Sequence, residues 1–171
     1  MHNHSHRTGV AAPVFSLPTP SMQPAPFVLL HKLVDGRGAL VAEYYHCPSD
    51  ALLYVRWHGY LTAAAVVEGF RNVLTWQQQL APRRLLLDRS HTTGEWADAL
   101  PWLALKWLPA ALATGLQAVS YVCPADLPGH HDGEAFLQSV HGNLPVELCG
   151  SSHEALAWLC HPGQPKSALP A

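Results

Sequence analysis

From Phe27 to Trp57 the apolar positions come in short runs that suit β-strands, separated by turn residues. Phe27 to Leu33 and Ala39 to Cys47 are the first two runs, and Asp35-Gly36-Arg37-Gly38 between them supplies the positive-φ positions of a hairpin turn. A third run, Ala51 to Trp57, follows the turn Cys47-Pro48-Ser49-Asp50, so the pattern predicts an antiparallel meander. After Gly59 the period lengthens. Val66, Val67, Phe70, Val73 and Leu74 fall at helical spacing behind Thr62 as N-cap, with Pro82 just past the end.

Leu85-Leu86-Leu87, behind Arg83-Arg84, then read as a short strand buried on both faces and ending at Asp88. The order strand, helix, strand calls for a parallel crossover. A polar turn, Arg89 to Gly94, leads into a segment from Glu95 to about Ala113, where Trp96, Leu100, Leu103 and Trp107 mark one buried stripe and Trp102 lies off it. Pro101 and Pro109 fall inside that segment and predict a kink or a split, because each removes a helical hydrogen bond. Leu116 to Cys123 reads as another buried strand, residues 126–141 as a loop with a short helix around Glu134 to Val140, and Pro145 to Cys149 as a last short strand. Ser151-Ser152-His153-Glu154 has capping-box spacing ahead of Ala155, Leu156, Trp158 and Leu159. The assembled order predicts an α/β fold: a mixed sheet of about five to six strands, antiparallel at its start, with about four helices packed on it.

Composition narrows the function classes. The chain has 171 residues, 49% hydrophobic and 13% charged, which suits one domain over 27–161. The five prolines among residues 13–26 predict a flexible arm over 1–26, and Pro162, Gly163 and Pro165 a disordered tail over 162–171. A net charge of -2 provides no basic field for nucleic acid. Scattered Cys47, Cys123, Cys149 and Cys160, with no apolar run of membrane-spanning length and no secretory leader pattern, predict a soluble cytoplasmic protein with no membrane span. No P-loop, dinucleotide fingerprint or HExxH zinc motif is present, and no cofactor or metal is expected. His2, His4 and His6 lack a fixed scaffold, and His130-His131-Asp132 with His141 lacks zinc-site spacing and reads as a solvated loop.

The central tract resembles the STAS and SpoIIAA-like fold, and most closely a group of bacterial single-domain STAS-like proteins. The features that carry the resemblance are Leu85 to Asp88, Gly94-Glu95-Trp96, Trp107-Leu108-Pro109, Gly115-Leu116, and the terminal Ala155 and Trp158-Leu159, within residues 27–160. In the signalling members, anti-sigma factor antagonists, a serine directly after the strand's aspartate is phosphorylated to switch partner binding. Here Arg89 follows Asp88 and Ser90 comes one place later. The resemblance implies a non-enzymatic regulatory or protein-interaction module, with a homodimer as one form. Its expected binding surface is Asp88, Ser90, His91, Thr92, Thr93, Glu95, Trp96 and Trp102, with Ser90, Thr92 or Thr93 as phospho-acceptor and helix capping as the plainer role of those hydroxyls. Trp57 and Tyr60, near another strand end, suit the same contact patch. Two other classes remain open: a carrier or sensor of a small apolar ligand held between helix and sheet, and an enzyme using Asp88, Ser90 and His91, for which no nucleophile-elbow motif is present.

Overall fold

Six strands form one sheet in their order along the chain: β1 (Val28–Val34), β2 (Leu40–Cys47), β3 (Leu52–Tyr60), β4 (Arg84–Thr93), β5 (Ala118–Val122) and β6 (Val146–Cys149). The computed structural model describes residues 27–123 and 130–163. The expected arm at 1–26, the Pro128-Gly129 part of the histidine loop and the tail beyond Gly163 lie outside these. β1, β2 and β3 pair antiparallel, as the meander pattern requires, and β3 to β6 pair parallel. The hairpin closes where expected: Asp35 Oδ1 accepts the N–H groups of Arg37 and Ala39 at 2.8 and 2.9 Å, and Gly38 takes a φ of 81°.

Each parallel link carries helix. α1 (Ala63–Leu80) starts at Thr62, whose hydroxyl accepts the Ala65 N–H at 3.2 Å, and stops at Ala81 in the left-handed region before Pro82. Between β4 and β5 a 3-10 turn (Ala97–Ala99) runs into α2 (Leu100–Trp102), a π turn (Leu103–Trp107) and α3 (Leu108–Ala113). Pro101 stands in the first turn of the segment, where no backbone donor is needed, and Pro109, which has no N–H to donate, directly follows the π turn. The wide turn between them lets Leu108 N–H reach the Leu103 carbonyl five residues back, so the segment bends without losing continuity. α4 (His130–His141) links β5 to β6, and α5 (Ser152–Cys160) follows β6. At α5 the Ser151 hydroxyl accepts the Glu154 N–H at 3.2 Å while the Glu154 carboxylate reaches back to the Gly150 N–H at 3.1 Å. Among the described residues no helix is long and apolar enough to cross a membrane.

The helices divide unequally between the two sides of the sheet. α1, the bent α2–α3 segment and α4 cover one side, around Trp57, Phe70, Trp96, Trp107, Tyr121 and Phe136. On the other side α5 lays Ala155, Trp158 and Leu159 over Leu86, Ala118, Val122 and Cys149. The described elements therefore leave that side of β1, β2 and the end of β3 without a helix.

Two expectations need correction. The strand behind Leu87 does not end at Asp88 but runs to Thr93, because β3 also lengthens, to Tyr60, and pairs with it as far as Tyr60 opposite Thr93. His130-His131-Asp132 is not a loop but the first turn of α4, where His130 Nε2 and His131 Nδ1 stand 3.3 and 3.4 Å from the carboxylate oxygens of Glu134.

Candidate functional site

The second half of β4 carries polar residues to both sides of the sheet. Leu85, Leu87 and Arg89 alternate toward the three-helix side, and Leu86 and Asp88 toward the other. Opposite Trp57 the register slips, from Arg56 facing Asp88 to His58 facing His91, so β4 holds an extra residue there. Beyond this bulge the alternation shifts by one, so that His91 joins the open side and Thr92 turns inward, while Ser90 still bonds Asp88.

On the open side the register of β2, β3 and β4 assembles residues far apart in sequence. Asp88, 4% exposed, accepts the Tyr54 hydroxyl at 2.7 Å on one oxygen and the Ser90 N–H and hydroxyl at 2.9 and 2.6 Å on the other. Tyr54 in turn accepts from Arg56 Nε and Nη2 at 3.2 and 3.1 Å. Burial, then the Asp88 carboxylate, push the Tyr54 phenol up to about 12, so it stays a donor to Asp88. The Arg56 guanidinium lies 5.4 and 5.9 Å from the Tyr54 and Tyr45 ring centres, and no carboxylate among the described residues is within ion-pair distance of it. Beside this row, Glu43 bridges Lys32 at 3.2 Å and His58 Nε2 at 3.0 Å. The His58 ring stacks on exposed His91, centroids 6.3 Å apart and planes 10° from parallel.

Glu43 gives a pH test of this network. Burial raises its pKa, but the hydrogen bonds and charges of Lys32 and His58 outweigh that and hold it below the ordinary 4.5. A carboxylate depressed in the folded state stabilises the fold above its unfolded value, and loses that contribution as pH falls through the folded value. Glu43→Gln is therefore expected to cost stability at neutral pH, by an amount that shrinks as pH is lowered below about 4.5. Urea unfolding of both proteins across pH checks this. A gap independent of pH would show that the carboxylate is not held ionised by these partners.

On the three-helix side, Arg89 is 2% exposed. Its Nε donates to Thr92 Oγ1 at 3.0 Å, its Nη1 donates to the Tyr121 hydroxyl at 3.3 Å, and the guanidinium lies 5.2 Å from the Trp96 ring centre. Thr92 donates its own proton to the Arg89 carbonyl at 3.0 Å. The Trp96 N–H is held by Asp132 Oδ2 at 2.8 Å, which ties the start of the bent helical segment to the first turn of α4.

The sheet thus separates the residues that the sequence groups together. Asp88, Ser90 and His91 share the open side, and Thr93 and Glu95 are exposed near the strand end. Thr92 and Trp96 are buried among the helices and present no surface; the bulge reverses the alternation of β4 and turns Thr92 inward, and Trp96 packs against Phe136. Trp102 is half-buried over α1, with the Arg71 guanidinium 5.7 Å from its ring, away from the open side. Trp57 is in the core and stacks on Phe70, whereas Tyr60 is 72% exposed. Ser90 spends its hydroxyl on Asp88, and among the described residues no imidazole completes a nucleophile, base and orienter set around it. Tyr54, Arg56, Glu43, His58 and Arg89 were not among the residues expected from sequence. The signal for Tyr54, Arg56 and Glu43 was a polar or aromatic residue at every second position of a predicted strand, which places them on one face, and His58 continues that period just past the predicted end. Compared with protein-family models, curated proteins and solved structures, the chain matches none.

Proposed function

We propose that the chain is a non-enzymatic, cytoplasmic STAS-like module of regulatory type that binds a protein partner through the open side of the sheet, around Arg56, His58, Ser90 and His91. The observation that carries this reading is Arg56: a cation laid over two tyrosines, beside stacked imidazoles, on the part of this side that α5 leaves open. Arginine and tyrosine are among the residue types that dominate binding energy at protein interfaces, and an arginine with no carboxylate partner among the described residues suits a carboxylate on the other protein. A six-stranded mixed sheet with three helical links and a helix after the last strand agrees with the architecture that the STAS resemblance implies. A second copy of the chain is the first partner to consider. β1 lies at the sheet edge with Val28, Leu29 and Val34 exposed, contiguous with the open side through Lys32, and an edge strand is a template for pairing. Of the three hydroxyls in the second half of β4, that of Thr92 is buried and Ser90 and Thr93 are more exposed, and a phosphate on either of these would place about -1.5 to -2 charges on this side.

Sedimentation velocity on the wild type and on Arg56→Ala/His91→Ala tests the proposal. The wild type is expected to form a dimer or a stable hetero-complex that the double variant loses, with an unchanged circular dichroism spectrum. Identical association by both proteins would remove the open side from the interface.

A further inference from the structure

Arg89 and its surroundings hold more donors and more positive charge than the described residues satisfy. The two acceptors that the guanidinium has found, Thr92 Oγ1 and the Tyr121 hydroxyl, are neutral. Its third nitrogen, Nη2, has no acceptor, and the indole Nε1 of Trp96, the ring over which the guanidinium lies, has none either. Among the described residues no carboxylate is within ion-pair distance of Arg89, and Asp132, which faces this corner from α4, already accepts the Trp96 backbone N–H. An arginine stays protonated when buried, and an unpaired buried charge is strongly unfavourable. The missing element is an acceptor with negative charge.

We propose that Arg89 is the binding residue for the carboxylate of a small organic acid, with Arg89 Nη2 and Trp96 Nε1 as its donors. The charge count favours a carboxylate: one guanidinium neutralises one negative charge. The rings of Trp96, Tyr121 and Phe136 pack around this corner, and apolar neighbours of that kind suit an acid with an apolar body. The position also fits, since open α/β sheets take ligands at the carboxyl ends of parallel strands, near helix starts. This site is independent of the partner surface, because Ser90 and His91 face the other side of β4.

Nitrogen-15 spectra of the six tryptophan indoles in the full chain provide the test, with acetate and benzoate as probes, inorganic phosphate for comparison and chloride at matched ionic strength as blank. The Trp96 indole resonance is expected to shift saturably with either carboxylate. The shift should vanish in Arg89→Met and weaken about 10-fold in Arg89→Lys, which keeps the charge but not the planar fork. The wild-type titration decides on its own if a variant does not fold. A Trp96 resonance that does not saturate with either acid overturns the proposal, as does an equal shift in Arg89→Met. Tighter binding of phosphate than of both carboxylates overturns the assignment to a carboxylate.

Discussion

Gly94→Ala is expected to destabilise the fold by about 3–5 kcal/mol and to lower its melting temperature by on the order of 10 °C. Gly94 lies just past β4 with a φ of 96°, a region costing an alanine about 1–3 kcal/mol. A Cβ there would also stand 2.3 Å from the Leu61 carbonyl oxygen and 3.0 Å from its nitrogen. Those atoms are backbone, and Leu61 N–H is already committed to the Thr93 carbonyl at 2.8 Å, so the neighbour cannot swing aside as a side chain would. Gly36→Ala is the control: nothing lies within 4 Å of its added Cβ, and a change of no more than about 0.5 kcal/mol is expected. Urea unfolding of the two variants against wild type measures both. A Gly94→Ala protein as stable as the control would mean that the paired ends of β3 and β4 are not locked together. The rim carrying His91 and Thr93 would then be a loose loop.

That locked rim is also where sequence reasoning stopped short. Asp88 to Thr93 contains no apolar residue, so it reads as a turn. It is strand because Asp88 finds Tyr54 and Ser90, Arg89 finds Thr92 and Tyr121, and the β3 backbone continues alongside. None of those partners is adjacent in sequence except through the bulge, and a bulge breaks the two-residue period by which strands are recognised. Local signals were legible. The Thr62 and Ser151 caps, the Asp35 hairpin and the two prolines that bracket the bend all carry their cause within four residues. The π turn was not, since its cause is a shifted hydrogen bond and not a residue type. The open-side residues, Glu43, Arg56 and His58, become a group only once the register of β2 against β3 is fixed, and that register is decided by core packing across the whole sheet.

The second large effect is expected at Phe136, the ring on which the three-helix side converges. Phe136 is fully buried, with ring centres of Phe70, Tyr121, Trp107 and Trp96 at 5.7, 6.1, 5.8 and 6.3 Å. Those four rings come from α1, β5, the π turn and the residues just after β4, so one side chain on α4 joins four separate stretches of the chain. Phe136→Ala is expected to cost about 3–5 kcal/mol, because the lost transfer energy adds to a cavity that tryptophans on several backbones cannot collapse to fill. Leu105→Ala, at a position 73% exposed on the π turn, should stay within about 0.5 kcal/mol of wild type. Hydrogen exchange separates the two ways in which Phe136→Ala could fall short. If the loss is below about 1.5 kcal/mol and α4 amides exchange faster than those of β4 and β5, α4 is a separately opening unit, and the Asp132 contact with Trp96 does not close the corner around Arg89. If α4 exchanges together with β4 and β5, helix and strands melt as one body, and the buried guanidinium is fixed by the same cooperative core that fixes the sheet.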